Sequence, residues 1–196
     1  MRISELAIAA IFCVLAVSGC ATTNKHVEPA APLPAAELPS VQRAQQPARL
    51  MHINAAGLQI IKESEGVHLT AYQDTGQWLI GYGHADGARP GLHISQARAE
   101  ELLKQDLVLC ERAVTSALSG TVTSNQFSAL VSLCYNIGGQ RFGQSTIVKR
   151  LNSGDTQGAA DGFLDWTRGS IDGRKVVLPR LEARRQKERS LFLAAS

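Results

Sequence analysis

The stretch KESEGVHLTAYQDTGQWLIGYGH, Lys62 to His84, joins a helical pattern on its N-terminal side to a tight hairpin pattern on its C-terminal side. Just upstream, Asn54 stands where a helix N-cap belongs, ahead of Ala55–Glu65, and Gly66 stands where a helix ends through positive φ. Leu58, Ile61 and Glu65 are three and four residues apart and therefore share one helix face, whereas Glu63 points elsewhere. After Gly66, Leu69 to Tyr72 and Trp78 to Tyr82 read as two strands around the turn Asp74-Thr75-Gly76, with Gly81 and Gly83 permitting close turns.

Glu65 and Asp74 are the candidate chemistry. Two carboxyl groups held across a glycosidic bond can divide the work of breaking it: one protonates the leaving oxygen, the other activates water or stabilises the cationic transition state. The apolar helix face places Glu65 where desolvation favours the protonated form that a general acid needs. A buried carboxylate bound to an arginine or to backbone would leave the same trace. Asp74 is also an ordinary turn residue, since its side chain bonds nearby amides.

Outward from this stretch the chain reads as helical. Ser95 caps a helix over residues 96–107, and Thr123 to Gln126 opens another that runs through Phe127 and Leu133 to Asn136-Ile137-Gly138. Further helices are expected over residues 145–152, 156–167 and 180–193. Many helices and one small hairpin sheet beside the Glu65 helix make a mainly helical α+β domain over residues 50–196.

The first 49 residues differ in kind. One basic residue near the start, an apolar stretch from Leu6 to Val17 and then Ser18-Gly19-Cys20 read as an export signal over residues 1–20. Val17 to Cys20 resembles a bacterial lipobox, which implies a lipid on Cys20 and favours the outer membrane; the alternative is an uncleaved signal anchor that later leaves the membrane. Residues 21–49 hold Pro29, Pro32, Pro34, Pro39 and Pro47 among Ala, Gln and Thr, a composition for a flexible tether. The expected location is therefore exported, membrane-tethered and facing the periplasm. With Cys13 and Cys20 assigned to the signal, Cys110 and Cys134 remain, either as a disulfide of an exported domain or as two buried thiols.

A length of 196 residues gives one core plus extensions, and no apolar run reaches the roughly 18–20 residues of a permanent membrane span. The net charge of +3 is uneven: residues 141–196 carry eleven Lys or Arg against six acids, and residues 49–140 carry six against eight. That cationic part suits either a polyanion or a solvated helix face. There is no glycine-rich phosphate loop and no metal-ligand spacing around His84. The expectation is a monomer with no cofactor, no metal and no nucleic-acid partner.

The spacing of Glu65-Gly66 and Asp74, then Ile80-Gly81-Tyr82-Gly83-His84, Tyr135-Asn136-Ile137-Gly138, Phe142 before Ser145-Thr146, Leu151 to Asp155, Leu178-Pro179, Arg184-Arg185 and Glu188-Arg189, resembles the phage-type lysozyme family. The resemblance runs from about Ala55 to Leu193. It implies a lysozyme-like fold and hydrolysis of the β-1,4 bond between N-acetylmuramic acid and N-acetylglucosamine in peptidoglycan. Glu65 would be the proton donor and Asp74 the water-activating residue. Tyr135 and Asn136 would contact sugar acetamido groups, or serve as a buried Tyr and a helix-ending Asn; Ser145 is a cleft hydrogen-bonder or an N-cap. Tyr82 and His84 would brace the hairpin against the Glu65 helix, and Trp78 would be a core anchor in preference to a sugar platform. One departure stands out: the family has a Thr directly before Ile-Gly, and here that residue is Leu79. The lost hydroxyl could slow hydrolysis, divert the reaction toward an anhydro sugar as in lytic transglycosylases, or leave a peptidoglycan-binding protein without useful turnover. Thr70, Thr75, Gln77 or backbone would then have to hold the water.

Overall fold

The computed structural model describes residues 51–74, 76–171 and 173–195. The export signal with Cys13 and Cys20, the 21–49 tether, Thr75 and Asp172 lie outside the described residues.

Helix α1 (Ala55–Glu65) begins where Asn54 accepts a hydrogen bond from Gly57 N and ends at Gly66, whose φ of 71° carries the chain out of the helix. Strands β1 (His68–Asp74) and β2 (Gln77–Gly81) follow as an antiparallel hairpin. Its register pairs Tyr72 with Leu79, Gln73 with Trp78 and Asp74 with Gln77. Side chains of a strand alternate between faces and cross-strand partners share one. Tyr72, Asp74, Gln77 and Leu79 therefore lie on one face, and Gln73 and Trp78 on the other.

The helical body starts with α2 (Gln96–Ala117), capped by Ser95. It runs ten residues beyond the expected end because Leu103, Leu107 and Val114 continue one buried stripe. Helix α3 (Ser124–Ile137) opens with a reciprocal capping box between Thr123 and Gln126 and stops at Gly138, φ 85°. The short helices α4 (Gly139–Gly143), α5 (Thr146–Asn152) and α6 (Thr156–Gly162) lead to a 3-10 turn at Phe163–Asp165. Pro179 at the first turn starts α7 (Pro179–Leu193). Helix α3 is the centre of the body: Phe127, Leu130, Leu133 and Ile137 pack with Ile61, Leu103, Leu107, Phe142, Ile147, Phe163 and Phe192 in one core. Gly57 allows α1 to approach α3 closely, since a Cβ there would stand 2.7 Å from Ser128 Cβ.

The mainly helical α+β class holds, with one addition to the expected architecture. A second two-stranded sheet, β3 (Arg168–Ile171) with β4 (Arg174–Val177), stands between the helices expected over 156–167 and 180–193, where no element is expected. The helix expected over 156–167 stops at Gly162 and tightens into the 3-10 turn before this hairpin. Trp78 is half-buried and is not among the residues packed on the main core, so it is no core anchor. Cys110 and Cys134 lie on adjacent faces of α2 and α3, their Sγ atoms 2.6 Å apart, as free thiols.

Candidate active site

Glu65 is the last residue of α1, and its side chain remains 25 % exposed. Ile61, one turn earlier, is fully buried, so the apolar face delivers Glu65 to the rim of the core and not into it. Its Oε1 accepts a hydrogen bond from Arg184 Nη1 at 2.6 Å, and Arg184 itself is buried in α7. Thus Glu65 is both on the apolar face and bound to an arginine. Glu63, two residues earlier, points to solvent and pairs with Lys187.

Asp74 is half-buried at the tip of the hairpin. Tyr72, two residues before it, is the residue that relates the two carboxylates. Burial raises the Tyr72 phenol above its ordinary value, and the negative charges of Asp74 and then Glu65 raise it further. One ring therefore has both carboxylates within electrostatic reach, on the face it shares with Asp74. His68 packs against the same ring at 4.2 Å between centroids.

Leu79, opposite Tyr72, is 3 % exposed and offers no hydroxyl to this face. Thr70 does not replace it: its Oγ1 is engaged with His93 Nδ1 at 3.0 Å. Gln77 is the exposed amide paired across from Asp74. Trp78 lies on the opposite face of the hairpin and cannot stack a sugar beside Asp74.

The remaining sequence-picked residues fall into two groups. Tyr135 donates from its hydroxyl to Tyr82 O at 3.1 Å, and burial, with Asp106 and Glu65 nearby, pushes its phenol well above the usual range. Asn136, half-buried at the end of α3, accepts from Arg185 Nη2 through Oδ1. Ser145 is buried and caps α5 by accepting from Val148 N. It also borders a groove of about 610 Å³ lined by Arg141, Trp166, Arg168 and Lys175, in which the Arg141 guanidinium sits 5.2 Å from the Trp166 ring. Tyr82 and His84 brace the hairpin, but chiefly against α2: Gln96 Nε2 donates to Tyr82 Oη, and His84 Nδ1 lies 2.9 Å from both carboxylate oxygens of Asp106.

Beneath Glu65 lies a group that the sequence did not single out by role. Glu188 of α7 is fully buried; its Oε1 accepts from Arg184 Nε at 3.0 Å and from Ser132 Oγ at 2.7 Å, and its Oε2 accepts from Arg185 Nη1. Arg184 Nη2 donates to Ser132 O. Burial alone would lower Arg184, but Glu65 and Glu188 outweigh it and raise the guanidinium above its ordinary value. Burial pulls Arg185 down to about 10.

A helix-end carboxylate clamped by an arginine, and a hairpin that carries a second carboxylate near the same Tyr72 ring, stand on a mainly helical body of lysozyme-like order. The Phage lysozyme family model matches residues 62–188. The endolysin of Acyrthosiphon pisum secondary endosymbiont phage 1 is 40% identical over 146 residues, 74% of this chain and 100% of that protein. The SAR-endolysin of Enterobacteria phage P21 is 31% identical over 124 residues, 62% of this chain and 75% of its own. Among solved structures, the muramidase domain of SpmX from Asticaccaulis excentricus superposes with a TM-score of 0.71 at 41% identity, covering 74% of this chain and 99% of that one. The chain belongs to the phage lysozyme family and is a glycoside hydrolase.

Proposed function

We propose that Glu65 donates the proton and Asp74 activates water when this muramidase cleaves the β-1,4 bond between N-acetylmuramic acid and N-acetylglucosamine in peptidoglycan. The carrying observation is the Tyr72 ring, which feels both carboxylates, together with the Arg184 clamp that fixes Glu65. Arg184 occupies Oε1, while Oε2 makes no hydrogen bond among the described residues and is the oxygen that would meet the leaving group. Asp74 would polarise the attacking water, with Gln77 on its face holding that water where Leu79 has no hydroxyl. Asn136, fixed by Arg185, is the better placed acetamido contact, since the Tyr135 hydroxyl is committed to backbone. The groove beside Ser145 carries three cations against Asp165, a charge pattern that suits an anionic polymer.

Buried Leu79 favours one second reading of the chemistry. With the water held only from one side, an internal hydroxyl of the sugar can compete for the cation and leave an anhydro end. Digestion of purified peptidoglycan by the full chain separates the outcomes by mass spectrometry: reducing ends mean hydrolysis, anhydro ends mean transglycosylation, and no fragments mean a binding protein.

The N-terminal signal and the similarity to a SAR-endolysin support an exported, membrane-tethered protein, anchored through lipid on Cys20 or through an uncleaved signal. Among the described residues no helix is long and apolar enough to cross a membrane. Labelling with radioactive fatty acid is expected to mark the wild-type chain and not Cys20→Ala. An unlabelled wild type removes the lipid anchor and leaves the signal anchor.

A further inference from the structure

A general acid must begin the reaction protonated, yet an adjacent guanidinium favours the charged form of a carboxylate. Arg184 touches Glu65, and Arg185 is buried one residue further along the same helix. Two unbalanced cations at that depth would oppose a proton on Glu65.

From the buried hydrogen-bond cluster we infer that Glu188 is a positioning residue for the reaction, holding both guanidinium groups and setting the charge against which Glu65 gives up its proton. This rests on the reading of Glu65 as general acid. Glu188 reaches neither Glu65 nor the cleft in any hydrogen bond; it acts through its partners. Its Oε1 orients Arg184 so that Nη1 points at Glu65, and its Oε2 orients Arg185 so that Nη2 points at Asn136. One buried carboxylate thus fixes the two arms that hold a candidate catalytic side chain and a candidate substrate contact. Ser132 closes the arrangement from α3 by donating Oγ to Glu188 and accepting from Arg184 at its backbone oxygen. Arg185 Nε is buried without a partner, so Glu188 Oε2 and Asn136 are the polar groups that hold this cation.

The charge count gives the sign. With Glu65 ionised, Glu65, Arg184, Arg185 and Glu188 sum to zero; with Glu65 protonated they sum to plus one. Removing the charge of Glu188 makes these totals plus one and plus two, which penalises the protonated acid. Removing that of Arg185 makes them minus one and zero, which favours it. Removing both restores the original totals. The other titratable and charged groups around this cluster are unchanged in the series: Tyr72 and Tyr135, which feel the Glu65 charge, Asp74 beside Tyr72 and, on α7, Arg180 beside Arg184. Farther out, the Glu63–Lys187 and Lys62–Glu100 pairs are also retained.

The test is the pH dependence of kcat/KM on peptidoglycan for the full chain, wild type and Glu188→Gln, Arg185→Met and the double variant, with the Glu65 carboxyl titration followed by carbon NMR as a readout that needs no turnover. Glu188→Gln is expected to move the alkaline limb and the NMR midpoint down by about one pH unit, the size of one unit charge at second-neighbour range. Arg185→Met is expected to move both up by a similar amount, and the double variant to return them to the wild-type position, even though loss of the Asn136 anchor raises KM. Limbs and midpoints that stay in place in folded variants, or that move the same way in all three, overturn the inference and leave Glu188 a structural residue. Should Glu188→Gln fail to fold because buried cations lose their partner, Arg185→Met and the double variant carry the same signs. Full activity in Glu65→Gln would instead remove the general-acid reading itself, so the two failures are told apart.

Discussion

Leu79 puts a buried apolar side chain on the strand face that also carries Asp74. Leu79→Thr restores a hydroxyl to that face and is expected to raise the hydrolytic rate while costing about 2 kcal/mol of stability, from lost methyl burial and a desolvated hydroxyl. Release of reducing ends and the urea midpoint measure the two effects. A folded variant no faster than the wild type would show that the water is held elsewhere. At this scale the place of Glu65 at the end of an apolar helix face was legible from local helix period, whereas Asp74, an ordinary turn residue by itself, drew attention only through the family resemblance. The role of Arg184 was not legible: its bond to Glu65 joins residues 119 apart in the chain, and no local pattern announces such a pair. Tyr72 was hidden for a different reason, since an aromatic residue in a strand is what any half-buried hairpin carries.

Helix ends were the most legible elements, because Asn54, Ser95, Thr123 and Ser145 each cap the helix they precede through short-range geometry. The β3–β4 hairpin was equally available, for Asp172-Gly173 is a strong two-residue hairpin signal and Gly173 has φ 78°. Its strands, however, are short and carry Arg168, Arg174 and Lys175 in place of an alternating apolar pattern, so the strand signal around that turn is weak. The contact of α2 with α3 carries a prediction of its own. Cys134 beside Cys110, together with burial, pushes the Cys110 thiol up, which keeps that sulfur from the reactive thiolate form while it is reduced. In an oxidising compartment the pair is expected to form a disulfide across 24 residues, stabilising the domain by about 3 kcal/mol. The exported protein, unfolded without reductant, should then show no titratable thiol from this pair, and its Tm should fall when reductant is added. Two free thiols per domain would contradict the pairing.

Across the whole molecule, surface ion pairs tie distant segments together: Lys62 to Glu100, Lys187 to Glu63 and Arg189 to Asp161. In each, a hydrogen bond from the cation is the main reason that the carboxyl is held below its ordinary value. A carboxyl lowered on folding stabilises the native state above its unfolded value, near pH 4, and that contribution is lost as pH falls through the folded value. Asp106 runs the other way, raised by burial despite His84. Its contribution shrinks as pH rises through its folded value. Urea unfolding at pH 6 and pH 3 is expected to show lower stability at pH 3, and a flatter profile when Glu63, Glu100 and Asp161 are replaced by their amides. An unchanged slope in that triple variant would assign the acid sensitivity to other groups. Cleavage itself is assigned to Glu65. Its most direct test is the rate at which the full chain releases fragments from purified peptidoglycan in heavy-oxygen water, compared with Glu65→Gln. The expected result is a fall of about 10²–10⁴-fold in the variant, with solvent oxygen at the new ends of the wild-type products; equal rates would contradict the assignment.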